Sequence, residues 1–593
     1  MYASANLGGN PHASYVDHAT MNYSFLIRTS SLFFMPNMGF HKGCHMKKST
    51  NDMTQPPDLR TKTGTGPIRR THPVYQNSLP PCNQACPAGE NIQEWLALAQ
   101  EERYEEAWQH LVANNPMPAV HGRVCYHPCE NACNRAQVDQ SVSIHAVERF
   151  LGDQALLHGW KTTFTAVPSG KKVLVIGAGP SGLSCAWQLR RLGHEVEIHE
   201  AGPMAGGMMR FGIPAYRMPR DVLDQEIQHI LDTGITLKLN QKVNDVLKVK
   251  TEYGFDAVFL AIGAHLAKRI DIPGRDAGRI LDAVSYLSAV EQGDVPKLGR
   301  RVAIYGGGNT AMDAARTAHR LGAEEAVIIY RRDREHMPAH QFEADEALEE
   351  GVIINWLRTI RDIDGTTLTI EEMEIDDNGR PQPTGRYETL EADSVILALG
   401  QDVDLSVIAR IPGIELHEDG VVVVDEHMMT SVPGIFAGGD MVPSERTVTV
   451  ATGHGKKAAQ HIDGWLRHQP YRKADTNAGI PYSALNLWFD TDAESTSQPV
   501  VTPEQRDGFD EIIGGLTATQ ARYEAARCYS CGNCFECDGC YGSCPEDAIL
   551  KLGKGRGYRI DYDKCTGCGA CYDQCPCHAI SMVSEVVDNE YTF

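Results

Sequence analysis

Two copies of one cysteine pattern near the C-terminus constrain this chain more than any other feature. Cys534, Cys537, Cys540 and Cys544 spell C-x2-C-x2-C-x3-C before Pro545, and Cys565, Cys568, Cys571 and Cys575 repeat it before Pro576. The copies are offset by 31 residues, and each closes on Cys-Pro-x-x-Ala-Ile. The tail is therefore one small unit written twice. Each iron of a four-iron cubane takes one thiolate, and the x2 spacing wraps three thiolates around one face. A zinc site needs four ligands, not two runs of four each closed by a proline. Eight thiols thus predict two [4Fe–4S] clusters.

In the two-cluster ferredoxin arrangement the fourth cysteine of each run crosses to the other cluster. Carried over, Cys534, Cys537, Cys540 and Cys575 form one set, and Cys565, Cys568, Cys571 and Cys544 the other. Cys528 and Cys531 precede the first run at the same spacing, but only the frame starting at Cys534 ends on Cys-Pro. Cys528, Cys531 and Cys577 are therefore expected to be spare, or to serve an unrecognised site. The 18 cysteines cluster, with five in 82–133 and eleven in 528–577, leaving Cys44 and Cys185 alone. Clustered thiols in a long chain indicate metal or redox work rather than a disulfide framework, and so a reducing cytoplasm.

The formal charge of −22 over 593 residues argues against nucleic acid and against an anionic membrane surface. No apolar run is long enough to predict a membrane-spanning helix. The first 75 residues read as a disordered or poorly structured tail; the apolar stretch from Phe25 to Met35 is broken by Arg28 and makes a poor signal peptide. From 76 to 168 the apolar spacing is helical, as in Ile92, Trp95, Leu96 and Ala99. Short Val/Ile/Leu strands alternating with helices then predict α/β folds with parallel sheets. The expected division is an α-helical iron–sulfur domain at 76–168, one dinucleotide fold at 169–295 and 390–470, and a second at 296–389. A linker at 471–522 and an α+β ferredoxin-like domain at 523–593 complete it.

Gly177, Gly179, Pro180, Ser181 and Gly182 lie in a G-x-G-x-x-G turn between the strand at 171–176 and a helix. Such a turn lets a pyrophosphate approach a helix N-terminus. Glu200, 23 residues after Gly177, stands where a ribose-binding carboxylate is expected. Gly434–Asp440, including Gly439, resembles the second FAD signature of two-dinucleotide-fold flavoproteins, whose aspartate contacts the flavin ribityl chain. Ala261-Ile262-Gly263 resembles their strand-end motif, and Gly453–Ala459 the start of the helix aimed at the flavin. The second turn, Gly306, Gly308, Asn309, Thr310 and Ala311, lies in G-x-G-x-x-A. The strand after it ends in Arg331 and Arg332 with no acid, which favours NADP(H) over NAD(H).

Cys86–Ile92, Gly122–Cys125, Val173–Gly182, Gly206–Pro214 and Gly307–Asp313 together resemble the small subunit of NADPH-dependent glutamate synthase over about residues 80–470. Related cores occur in dihydropyrimidine dehydrogenase and a ferredoxin–NADP transhydrogenase. The resemblance implies two Rossmann-like domains for FAD and NAD(P)H and adds Gly206, Gly207 and Arg210 to the FAD site. It also implies N-terminal [4Fe–4S] ligands, but the first cysteine group is short here, retaining only Cys82 and Cys86. With Cys125, Cys129 and Cys133 the thiols number five. One N-terminal cluster is expected, on Cys86, Cys125 and Cys129 with Glu148 or another cysteine; Glu148 matches the region where dihydropyrimidine dehydrogenase uses a glutamine.

The expected function is an NAD(P)H:acceptor oxidoreductase subunit that passes electrons through FAD to [4Fe–4S] clusters and a redox partner, in either direction. The partner would be a ferredoxin or a larger oxidoreductase subunit, in a homo- or hetero-oligomer. The alternative is an electron-wiring subunit without its own nicotinamide turnover. No catalytic acid, base or nucleophile is expected. Three clusters would give about 12 iron per FAD.

Overall fold

The computed structural model describes residues 69–585 apart from 269–273, 276–278, 474–478 and 489. The stretch from Phe25 to Met35 and Cys44 lie outside them. The first core element is a five-stranded parallel sheet ordered Ile435–Ala437, Ala257–Leu260, Lys172–Ile176, Glu195–His199, Thr236–Lys238. Val173, Leu174 and Val175 are buried, as a parallel strand covered on both faces requires. The strand order reverses beside Lys172–Ile176. That reversal opens the crevice in which open α/β sheets bind ligands.

A second parallel sheet is ordered Ile353–Trp356, Glu325–Tyr330, Arg301–Tyr305, Ser394–Leu397, Arg279–Asp282. Two of its strands, Ser394–Leu397 and Arg279–Asp282, lie outside the 296–389 span expected for the second fold. Ser394–Leu397 pairs in parallel with both Arg279–Asp282 and Val302–Tyr305, so the chain leaves and re-enters this sheet outside that span. An antiparallel meander of Arg358–Asp364, Thr367–Ile375 and Pro381–Glu391 branches from it. Val421–Val424 makes only isolated bridges, Leu416 to Val422 and Val424 to Thr430.

Helices Ile92–Gln100, Tyr104–Val112 and Ile144–His158 form the N-terminal part around Trp95, Leu96, Trp108 and Leu111. The C-terminal unit has twin short helices, Gly539–Ser543 and Ala570–Asp573, and the hairpin Ile549–Lys551 with Tyr558–Ile560. Its last strand, Ile580–Ser584, pairs antiparallel with Thr71–Tyr75. Residues 71–75 were expected in the tail, yet they form a strand on this module. Residues 490–517, expected as part of a linker, strap the parts together. Arg149 Nη1 donates to Ile513 O at 2.7 Å, Ile512 N to Tyr216 O at 3.1 Å and Arg506 Nη1 to Glu350 Oε1 at 3.3 Å. Among the described residues no helix is long and apolar enough to cross a membrane.

Candidate functional site

The first glycine turn feeds helix Pro180–Arg191, with proline at its first position, where its missing N–H costs nothing. Gly177 has φ +108°, and a methyl there would overlap the Ala261 carbonyl. Gly207, at φ +52°, would place a Cβ 2.9 Å from Gly179 Cα. Gly177–Gly182 and Gly206–Gly207 thus face each other across a slot kept open by missing side chains. Gly439 meets Ser181 from a third segment, its ideal Cβ 3.1 Å from Ser181 Cβ. Ser181 Oγ is buried with no hydrogen-bond partner. An orphaned hydroxyl beside a helix N-terminus, in a slot lined by glycines, is a fit for a pyrophosphate.

The other expected FAD residues converge less uniformly. Glu200 accepts the N–H groups of Ala178 and Gly202, both at 2.8 Å, which fixes its carboxylate at the turn. Gly263, at φ +67°, follows the strand Ala257–Leu260. Burial pushes the Asp440 carboxyl up to about 6. Arg210 is engaged by protein groups: it donates to Ala205 O at 2.7 Å and pairs with Asp224. The helix expected to start at Gly453 begins earlier, at Val448, capped by Thr447 Oγ1, which accepts from Val450 N at 3.1 Å. His454 Nδ1 accepts the Gly439 N–H at 3.2 Å. Lys456 Nζ donates to Ala88 O, Gly89 O and Asn114 Oδ1 at 2.7–3.2 Å, tying the Cys86 loop to this helix.

In the second fold, Gly306 (φ +147°) would clash with Ala398 O if substituted, while Gly308 has open space. Asn309, Thr310 and Ala311 begin helix Asn309–Arg320. Asn309 donates to Tyr126 Oη at 2.5 Å and accepts from His340 N at 3.0 Å. Arg331 is exposed. Arg332 Nε is buried without a partner, an unmet donor where a 2′-phosphate would be read.

The cysteines fall into four groups. Cys534, Cys537, Cys540 and Cys575 lie together, each close enough to affect the others' thiols. Cys544, Cys565, Cys568 and Cys571 line one cavity. These are the crossed sets carried over from the two-cluster ferredoxin arrangement. Cys86, Cys125 and Cys129 form a third group with Glu148 and Glu90 beside them. Burial and Glu148 push the Cys125 thiol up to about 12; burial, Glu90 and Glu226 push the Glu148 carboxyl up. Asn115 Nδ2 bridges Glu90 and Glu148 at 2.9 and 2.8 Å. The fourth position here faces carboxylates.

Cys82 and Cys133 do not join that group. They line a separate cavity together with Cys528 and Cys531, so the expectation that Cys528 and Cys531 are spare does not describe their place. The signal was the shortage of thiols at the N-terminus; no local pattern linked it to the tail. Cys577 is buried with its sulfur 3.8 Å from that of Cys575. Sequence reasoning also passed over Tyr75, whose hydroxyl lies 3.1 Å from Cys540 Sγ.

The pyridine nucleotide-disulphide oxidoreductase family profile matches residues 171–455. A profile for dihydropyrimidine dehydrogenase domain II, 4Fe-4S cluster, matches 73–160, and one for the 4Fe-4S binding domain matches 558–581. The glutamate synthase [NADPH] small chain of Escherichia coli is 35% identical over 419 residues, spanning 65% of this chain and 89% of that one. The chain belongs to the glutamate synthase small-chain family. Its relatives there include the beta subunit of NADP(+)-dependent formate dehydrogenase from Moorella thermoacetica, 37% identical over 76% of this chain and 70% of that one. The beta subunit of NADPH-Fe(3+) oxidoreductase from Geobacter sulfurreducens is 32% identical over 79% of this chain and 77% of that one. As a member of the small-chain family the chain is a pyridine-nucleotide-dependent oxidoreductase with FAD, NAD(P) and [4Fe–4S] sites.

Proposed function

We propose that the chain is the NADP(H)-using, FAD-bearing subunit of a larger electron-transfer complex in a reducing cytoplasm, exchanging electrons with a protein partner through its C-terminal module. A bound flavin exchanges hydride with nicotinamide and single electrons with iron–sulfur clusters. The chain's residues supply binding and placement. The glycine slot and Ser181 hold the pyrophosphate, Glu200 stands at the ribose position, and Asp440 lies at the second signature. Gly306–Ala311 hold the second nucleotide, with Arg331 and Arg332 on its 2′-phosphate. Cys86, Cys125 and Cys129 with Glu148 or Glu90 hold the N-terminal cluster. The two crossed sets hold the C-terminal ones.

The observation that carries this reading is the continuity of Cys125 with both nucleotide folds. Its neighbour Tyr126 is hydrogen-bonded to Asn309 at the start of the second nucleotide helix, and Cys125 lies against Thr449 in the first turn of helix Val448–Leu466. The exit is expected where Cys534, Cys537 and Cys568 are exposed, among exposed Phe535, Tyr541 and Tyr572; aromatics are favoured where a partner docks. Anaerobic titration with NADPH and with NADH, followed by methyl viologen or ferredoxin as acceptor, tests the proposal. Bleaching of the flavin band and acceptor reduction are expected with NADPH. No bleaching with either nucleotide overturns it.

A further inference from the structure

The four-cysteine cavity at the junction of the N-terminal helices and the C-terminal module belongs to neither ferredoxin-like set nor the Cys86 group. It is walled by Cys82, Cys133, Cys528 and Cys531 with Pro80, Leu96, Val142 and Ile144. We propose that these four cysteines bind a [4Fe–4S] cluster of their own, two ligands coming from each end of the chain.

The lining supports a cluster: four cysteines wall this cavity, as Cys544, Cys565, Cys568 and Cys571 wall theirs. A single zinc ion does not suit it. Tetrahedral zinc with bonds of about 2.3 Å would draw its sulfurs to about 3.8 Å apart. Among the described residues, no three of these four sulfurs lie within 4.8 Å of one another. The crossed sets share this wide spacing, as suits a cubane whose thiolates sit on separate irons.

The backbone at Cys528 gives a second, independent reason. Ser530 adopts φ +51°, and its N–H donates to Cys528 Sγ at 3.4 Å. Cys565 receives the same bond from Gly567 (φ +70°) at 3.4 Å, and Cys125 from His127 (φ +52°) at 3.4 Å. Left-handed backbone is costly for serine and histidine and persists where surrounding structure enforces it. An N–H aimed at a sulfur stabilises thiolate charge and tunes a cluster. Cys528 thus has the local geometry of two cysteines placed in other cluster groups. Cys531 in turn faces Asn134 Nδ2 at 3.5 Å.

The two halves are docked firmly enough to share ligands. Ser78 N donates to Gly532 O at 2.9 Å, Gln93 Nε2 to Ser530 Oγ at 3.3 Å and Arg135 Nη1 to Arg527 O at 2.9 Å. Glu524, fully buried, is held by Arg527 at 2.8 Å and by Ser143 N at 3.0 Å. The position is also consequential. Cys82 lies in the short helix Pro81–Ala85 and Cys86 caps its end, and Cys129 and Cys133 likewise stand four residues apart, about 6 Å of rise in a helix. Cys531 stands three residues before Cys534. The cavity therefore borders the Cys86 group on one side and the ferredoxin-like set on the other.

The test is metal analysis of the full-length protein purified without oxygen. Four clusters give about 16 iron and 16 sulfide per FAD, against about 12 without this one. Cys528→Ala/Cys531→Ala is expected to fall to about 12 iron with FAD content unchanged, and Cys577→Ala to keep about 16. A wild-type count of about 12, or about one zinc beside 12 iron, overturns the proposal. So does a double variant that keeps 16. Should that variant not accumulate, Cys82→Ser and Cys133→Ser replace it: each is expected to lose or alter one cluster's EPR signal, and an unchanged spectrum overturns the assignment. The readouts need no nicotinamide, so they are separate from the flavin-bleaching test.

Discussion

Asn309 donates its side-chain amide to the Tyr126 hydroxyl at 2.5 Å, and Tyr126 stacks on His340 with ring centroids 3.6 Å apart. The residue after Cys125 thereby fixes the first residue of the second nucleotide helix. Tyr126→Phe removes the acceptor and leaves a part-buried amide unmet. A hydrogen bond of this kind contributes about 1 kcal/mol. We expect the KM for NADPH to rise about fivefold with flavin content unchanged, as steady-state viologen reduction will report.

Arg332 offers a buried donor with no partner. A charge-assisted bond to a phosphate contributes about 1.5–3 kcal/mol. Arg332→Ala should weaken NADPH binding by about tenfold or more and leave NADH binding nearly unchanged. Fluorescence titration with each nucleotide checks the contrast.

The proposed flavin slot depends on side chains that are not there. Gly207→Ala would put a methyl 2.9 Å from Gly179 Cα at a φ of +52°. The purified variant is expected to carry less than half the wild-type flavin, read from its absorbance ratio, with its iron retained.

Asp440 is held neutral by burial up to about pH 6, with Arg446 opposing. Its folded value lies above that of an unfolded aspartate, about 3.9. Stability from this group is therefore complete below about pH 4 and lost as pH rises through 6, on the order of 3 kcal/mol. In flavin-free protein, Asp440→Asn should flatten the fall in denaturation midpoint between pH 4 and 6. An identical slope in both proteins would contradict this.

Tyr75 aims its hydroxyl at Cys540 Sγ from 3.1 Å. A bond to a thiolate is stronger when the cluster is reduced and more negative, so it raises the potential. Losing about 1.5 kcal/mol of it corresponds to some 60 mV for one electron. Tyr75→Phe should lower one cluster's midpoint by tens of millivolts in an EPR-monitored titration.

What the sequence made legible was what depends on neighbours in the chain. The glycine turns at 177–182 and 306–311 are strand, turn and helix in a row, and the C-terminal thiols come together as their spacing implies. Cys528 and Cys531 were opaque for the opposite reason: they face residues about 400 to 450 positions earlier, and no local pattern records such a distance. Thr71–Tyr75 was obscured by Pro73, which argues against a strand except at an edge, where this one sits. Arg279–Asp282 has four residues and too little alternation to read as a strand.

Tyr75 pairs with Ile580, a partner translated some 500 residues later. Contacts of such long separation form late and slowly. While a ribosome is still building the chain, the strand that will close the terminal module is already made and has nothing to bind. Closure of that module must await synthesis of Ile580–Ser584, so a chain stopped short of them would carry a strand-exposing front end, a substrate for chaperones and proteases rather than a working fragment.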